Sequence, residues 1–297
     1  MLARLKIILR SQPPLLLWLL WGGVLLLLVA AFLWWHTVSI EPRRVFWGMV
    51  QNNLSTQSVT LQSTQEKSGT TTKQFLQLDF GPQAKARSYT AITRADAVVK
   101  TENLSTIAAD YTRYVSIQNK GRDNPKAKQL VGVWANTTDK QQPRSKDLPP
   151  LFGQVLLSRV LPIGNLKPDQ RQTLAQAMKA DNVYDTSFSA AKKRHTDGRL
   201  QYVYSVKLQP ILYIRLMKTY AKMVNLHDLD DVDPNTYSGA APITVQFIVD
   251  ARARQLVGID YGDNKESYSG YGVPVRITAP AHAISGEELQ KRLGVLQ

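Results

Sequence analysis

Ser189 and Lys192 stand in a Ser-x-x-Lys string, the spacing at which a lysine helps to activate a serine nucleophile in one class of acyl-transfer enzymes. The companion strings Ser-Asp-Asn and Lys-Thr-Gly are missing, and a string with two fixed positions arises readily by chance. The four histidines, His36, His195, His227 and His282, are scattered, and the chain has no cysteine. None of them stands at a metal-ligand spacing from another. Asp228, Asp230, Asp231 and Asp233 offer the alternating carboxylates that a hard cation needs. Counted from Asp231, however, the sixth position is Thr236 rather than Gly and the twelfth is Pro242 rather than Glu. The calcium-loop template fails, and a solvated acidic loop is expected. There is no Gly-x-Ser-x-Gly, no phosphate-binding loop and no dinucleotide fingerprint. The sequence therefore predicts no catalytic residue, no metal site and no cofactor, and a binding or interaction protein rather than an enzyme.

The elements that position these residues begin with residues 15–35, LLLWLLWGGVLLLLVAAFLWW, which carry no charge. At ~1.5 Å per residue this run makes about 30 Å of helix, the hydrocarbon thickness of a bilayer. Trp18, Trp21, Trp34 and Trp35 flank it, as rings that settle at the lipid–water boundary do. A buried soluble helix of this apolarity is disfavoured. A cleaved signal peptide has a shorter core and a small-residue cleavage site, whereas this run ends in Phe32-Leu33-Trp34-Trp35. Lipid attachment requires a cysteine, which the chain lacks. One integral span is expected. Arg4, Lys6 and Arg10 precede it, and Arg43 and Arg44, offset by Glu41, follow. The positive-inside rule then places residues 1–14 in the cytoplasm and residues 36–297 outside the cytoplasmic membrane.

The net charge is +14, from 37 basic and 23 acidic residues. Most of that excess follows the apolar run. Two readings share it: an anionic envelope partner, or a generically basic soluble surface. Nucleic acid is disfavoured, because the chain has no aromatic-rich basic motif of a known reader. Without cysteine the outer domain has no disulfides, and its stability must come from an ordinary core.

Glu41-Pro42 opens a helix whose apolar positions Val45, Phe46, Met49, Val50 and Leu54 share a face. From Gln57 to Gln118 alternation takes over, with turns at Gly81-Pro82 and Asn119-Lys120-Gly121. Residues 136–150 are polar and aperiodic, a long loop within one domain rather than a boundary. Residues 151–160 and 168–178 read as helices, the second with Leu174, Ala177 and Met178 inward. Asp197-Gly198 marks a hairpin turn, and Tyr202, Tyr204 and Val206 share a face of its second strand. Ile211 to Val224 is apolar around most of its circumference, with Arg215, Lys218 and Lys222 on one stripe. It is too short to span a bilayer and must be nearly enclosed, either as a core helix or as the wall of an apolar cavity. Strands return at 243–249, 256–261 and 268–277, and Ser285 with Glu288 forms a capping box beside an Ile284–Leu289 staple.

The segments QYVYSVKL, PITVQFIVDARARQLVGIDY and YSGYGVPVRITAPAHA resemble the LolA and LppX/LprG-type lipoprotein-carrier superfamily. The match falls on Asp250, Tyr271, Gly272, Val273, Pro274, Val275, Ile277 and Pro280. The resemblance implies an α+β fold in which a curved antiparallel sheet, a half-open β-barrel, is covered by helices. It also implies an apolar cavity for lipid or lipoprotein acyl chains, with Phe46, Val50, Leu54, Leu212, Leu216 and Tyr220 as lining candidates. Members of that superfamily are freely soluble or lipidated at a cysteine, whereas this chain has a membrane helix instead. Handing lipid on at the membrane surface, or sensing it, then replaces shuttling. The alternative is a structural protein of the cell envelope in which the same fold is filled by its own side chains and a basic surface meets a partner. The first reading requires a connected apolar void, the second a packed interior.

Overall fold

The computed structural model describes residues 14–138 and 148–294. The basic tail with Arg4, Lys6 and Arg10, and residues 139–147 of the polar loop, lie outside the described residues. Helix α1 (Pro14–Trp35) carries the apolar run. It is long and apolar enough to cross a membrane, and its most apolar window is 0% buried. The helix does not stop at Trp35. A π-helical turn, His36–Ile40, leads directly into α2 (Glu41–Leu54), and the residues at both junctions keep right-handed helical angles. The Glu41 N–H donates to the carbonyl of His36, five residues back. Proline has no N–H, and its ring crowds the carbonyl four residues before it. A widened turn ahead of Pro42 relieves that crowding.

α2 buries Val45, Phe46, Met49, Val50, Asn53 and Leu54, the face that the spacing predicts. It packs on one side of a single 14-stranded sheet. The first half of that sheet is a meander of ten-residue strands: β1 (Ser58–Lys67), β2 (Thr70–Asp79), β3 (Lys85–Arg94), β4 (Ala97–Thr106) and β5 (Asp110–Asn119). Two-residue strands β6 (Arg122–Asp123) and β7 (Ala135–Asn136) follow. After them come α3 (Pro150–Leu157), α4 (Pro168–Ala180) and β8 (Tyr184–Asp185). The second meander holds β9 (Lys192–Thr196), β10 (Arg199–Leu208), β11 (Ile243–Asp250), β12 (Gln255–Tyr261) and β13 (Asn264–Ser269). Helix α5 (Pro210–Met223) is inserted between β10 and β11. The chain closes with β14 (Ile284–Ser285) and α6 (Gly286–Gly294).

Antiparallel pairing of β1 with β13 joins the two meanders, with Leu61 opposite Tyr268. Leu61 also faces Leu76, and Val59 faces Leu78, so this side of the sheet meets the helices. The hairpin at Asp197-Gly198 forms as expected, with φ of 50° and 72°, the left-handed pair that a two-residue turn requires. The family resemblance implies an α+β protein with a curved antiparallel sheet, and the structure has one, apart from a short parallel pairing of β14 with β7.

Some bounds differ from the sequence reading. The last long strand runs Asn264–Ser269, not 268–277. Gly270 and Gly272 take φ of 63° and 71° and turn the chain off the sheet. Helix α3 ends at Leu157 rather than Val160, and Arg159 turns inward. In α4 it is Ala175 that is buried with Leu174 and Met178, while Ala177 lies at the edge. The Ser285 hydroxyl accepts from the Glu288 N–H at 3.1 Å, and Ile284 and Leu289 pack together in a small second cluster.

On the sheet face away from the helices, Glu102 is fully buried between two arginines. Arg87 Nε reaches Oε1 and Arg113 Nε reaches Oε2, both at 2.6 Å. The Arg87 guanidinium also lies 4.8 Å from the Tyr89 ring centre, and that of Arg113 4.7 Å from Trp134. Burial pushes the Glu102 carboxyl up, but hydrogen bonds with Tyr89, Arg87 and Arg113 outweigh it and hold the group below its ordinary value. Its stabilisation is therefore full above the unfolded carboxylate range and is lost as pH falls through the lowered folded value. Glu102→Gln is expected to cost about 2 kcal/mol, less than a fully enclosed pair because both arginines reach solvent. Thermal denaturation in detergent, run at neutral and acidic pH, should show that loss shrinking as the pH falls.

Candidate functional site

The concave side of the sheet and the helices across it enclose one continuous apolar cluster. α2 lies along it, and its Phe46 is the hub. The Phe46 ring centre is 5.4 Å from Trp47, 5.5 Å from Phe188, 5.2 Å from Tyr204 and 6.1 Å from Phe247. Val50 and Leu54 follow on the same face and are fully buried. α5 brings Leu216, Met217, Tyr220 and Ala221 to the same interior. Five of the six cavity candidates, Phe46, Val50, Leu54, Leu216 and Tyr220, thus share one buried cluster, and Leu212 packs at its half-exposed edge. That edge is the start of α5, where Ile211, Leu212 and Ile214 are only half-buried.

The polar atoms of the interior are mostly taken up by backbone carbonyls. Tyr204 donates to Pro42 O at 2.8 Å, Tyr220 to Ile163 O at 2.6 Å and Tyr184 to Val160 O at 3.0 Å. Tyr271, from the motif behind the family resemblance, donates to Asn53 Oδ1 at 3.1 Å and to Leu256 O at 2.9 Å. Asp250, from the same motif, accepts from the N–H groups of Arg252 and Ala253 and so shapes the turn between β11 and β12. These motif residues do structural work: one fastens the end of the sheet to α2, the other folds a tight turn.

One charge pair sits on the inner face. Arg159 donates to Glu266 Oε1 at 2.7 Å and to Gln74 Oε1 at 3.4 Å. Tyr268 donates to the other Glu266 oxygen, and Tyr213 to the Arg159 carbonyl. Among the described residues, the buried Arg159 Nε and Asn53 Nδ2 have no hydrogen-bond partner. Nothing in the local sequence announces this pair, since Arg159 and Glu266 are separated by 107 residues.

The residues that raised other chemistry are not assembled for it. Ser189 lies in an exposed turn with its hydroxyl 3.2 Å from that of Ser187, and Lys192 stands exposed at the start of β9. Asp230 meets His227 at 2.9 Å, and Asp233 accepts from Asn235 N–H. Lys218 on α5 straps the acidic loop by donating to the carbonyls of Asp230 and Val232. Among the described residues, no three His, Cys, Asp or Glu side chains stand together as a metal cluster would.

Comparison of the sequence with protein-family models and with curated proteins finds no match. Among solved structures, the crystal structure of LprF from Mycobacterium bovis is similar, at 14% identity and a TM-score of 0.44. The similarity covers 82% of this chain and 99% of that one.

Burial raises the ionisation of Tyr184, Tyr204, Tyr220, Tyr268 and Tyr271 well above the ordinary phenol value. Unfolded tyrosines ionise near pH ~10. Above that pH the unfolded chain binds fewer protons than the folded one, and stability falls as pH rises. Alkaline titration followed by tyrosinate absorbance should show these rings ionising together with the loss of ellipticity, not ahead of it.

Proposed function

We propose that the chain is a membrane-mounted, non-catalytic binding protein that accommodates a lipid or lipoprotein acyl chain between its curved sheet and its helices. On this reading α1 is a retained span of the cytoplasmic membrane with its N-terminus inside. Everything from α2 onward lies outside. The observation that carries the reading is the unbroken helix from α1 into α2. On this reading that helix would hold an apolar concavity beside the bilayer, where a lipid has the shortest path into it. The half-buried Ile211, Leu212 and Ile214 at the start of α5 offer an edge at which a chain could enter among the buried residues Leu216 and Tyr220. An apolar concavity with a few placed polar groups is the usual form of a small-molecule site, and the sequence resemblance to lipoprotein carriers points the same way. Phe46, Val50, Leu54, Leu212, Leu216 and Tyr220 are the proposed lining.

The second reading, an envelope scaffold with a filled interior and a basic partner-binding surface, draws support from the ring packing around Phe46. Native mass spectrometry of the full chain, released from detergent and followed by organic extraction, separates the two. The lipid reading expects a stoichiometric acyl-chain adduct that Leu212→Trp reduces about tenfold, with unchanged melting, by filling the edge of the site. An apo mass together with no uptake of fluorescent fatty acid would leave the scaffold reading.

A further inference from the structure

Where the membrane helix enters the domain, a hollow of about 630 Å³ is lined by Trp35, Ser39, Ile40, Arg43, Arg44, Trp47, Gly48, Gln51 and Arg254. Eight of these residues form one stripe. Trp35, Ser39, Arg43, Trp47 and Gln51 recur every four positions, and Ile40, Arg44 and Gly48 run beside them. The stripe starts at the tryptophan belt and rises about 24 Å along the helix axis. Side chains on a helix lean toward its N-terminus, here toward the apolar run, so Arg43 and Arg44 are directed back to the headgroup layer.

Arg254 reaches the hollow from the other side of the sequence, and its position is built. The Asn52 side-chain amide donates to the carbonyls of Ala253 at 3.1 Å and of Arg254 at 2.8 Å. Arg254 itself takes φ of 50°, its N–H bonded to the Asp250 carbonyl at 2.9 Å. A Cβ on Gly48 would come within 2.5 Å of Arg254 Cδ. Glycine at that position is what lets the arginine lie across α2. Among the described residues no carboxylate pairs with Arg43, Arg44 or Arg254. Two lysines extend the same basic collar. Lys179 Nζ stands 4.7 Å from the Trp47 ring centre, and Lys193 Nζ donates to the Thr37 carbonyl at 3.4 Å. Glu41 is the one acid between His36 and Gln51.

We infer that this hollow seats the phosphate headgroup of an anionic phospholipid from the adjoining leaflet. Arg43, Arg44 and Arg254 bind the phosphate, and the Trp35, Ile40 and Trp47 side chains receive the upper part of the lipid. Guanidinium groups bind phosphate bidentately, tryptophan suits the boundary between apolar and wet, and cationic side chains at the surface select anionic lipid. The inference rests on α1 as a bilayer span. It does not depend on an acyl chain in the domain interior.

The test titrates the detergent-solubilised full chain with dioleoylphosphatidylglycerol and dioleoylphosphatidylcholine and counts the lipids retained by native mass spectrometry. The parent should keep the glycerol lipid about fivefold more than the choline lipid. Arg43→Gln/Arg44→Gln/Arg254→Gln should abolish that preference with melting unchanged. Gly48→Leu, which keeps every charge but displaces Arg254, should weaken it in part. Leu212→Trp should leave it intact, so loss of the interior site and loss of this one read out separately, while alkaline extraction of membranes reports on the span itself. Equal retention of the two lipids by the parent overturns the inference. Undiminished preference in the triple variant does so as well, because it would place the anionic site elsewhere.

Discussion

The structure depends on the burial of one face of α2 against the concave sheet. Phe46 alone touches rings from β10, β11 and the turn before β9, and Tyr204 ties β10 to the first turn of α2 through the Pro42 carbonyl. The far end of α2 is fastened as well. The carbonyls of Asn53 and Leu54 accept from Gly164 and Leu166, each at 2.9 Å, and Asn53 Oδ1 accepts from Tyr271. Among the described residues this open sheet has no second sheet to close it, so the helix supplies the other half of the core. Because the same helix continues from α1, the element that completes the core also fixes where the domain begins.

Two glutamates show how the sheet handles charge on its two faces. Glu102 faces away from the helices and is enclosed by arginines that remain about one-third exposed, at 31% and 32%. Glu266 faces the helices and pairs with an arginine at 8% exposure. The first pair keeps contact with water, so its arginines lose little solvation. The second is removed from water on both sides and needs the hydrogen bond that Tyr268 donates to Glu266, and the one that Gln74 accepts from Arg159, to be tolerable. α3 ends at Leu157, the Arg159 N–H turns back to the Leu156 carbonyl at 3.4 Å, and its side chain reaches Glu266 on β13.

Local chemistry made much of the fold legible. The uncharged run, the proline that opens α2, the Asp197-Gly198 turn, the apolar circumference of α5 and the cap at Ser285 are all statements about neighbouring residues. Periodicity likewise identified the inward side chains of α2 and, on α5, the stripe of Arg215, Lys218 and Lys222 that stays out of the core. Whether inward side chains leave room for a ligand is a different question, decided by how volumes from distant segments add up. Periodicity carries no information on that. The pairing of Arg159 with Glu266, the parallel contact of β14 with β7 and the seating of Arg254 over Gly48 all join segments far apart in sequence. Only the approach of Arg254 from 206 positions away accounts for glycine at 48 within a helix.

The manner of attachment bears on what a membrane-mounted binder could do. A flexible Gly- or Ser-rich linker would let the domain sample a wide range of heights and tilts. Here the connection is a helical turn with no glycine between Trp35 and Pro42. It is braced from outside by Lys193 on the Thr37 carbonyl and by Arg43 over the Phe188 ring at 6.0 Å. On the proposed reading the apolar concavity is therefore held at one distance from the bilayer. A free carrier moves its cargo by diffusing. A domain mounted in this way would act where it stands, exchanging lipid with the leaflet beneath it or with a partner that comes to it. The basic collar around the helix exit follows the same logic, since fixed cations select headgroups only if the mount keeps them at headgroup height.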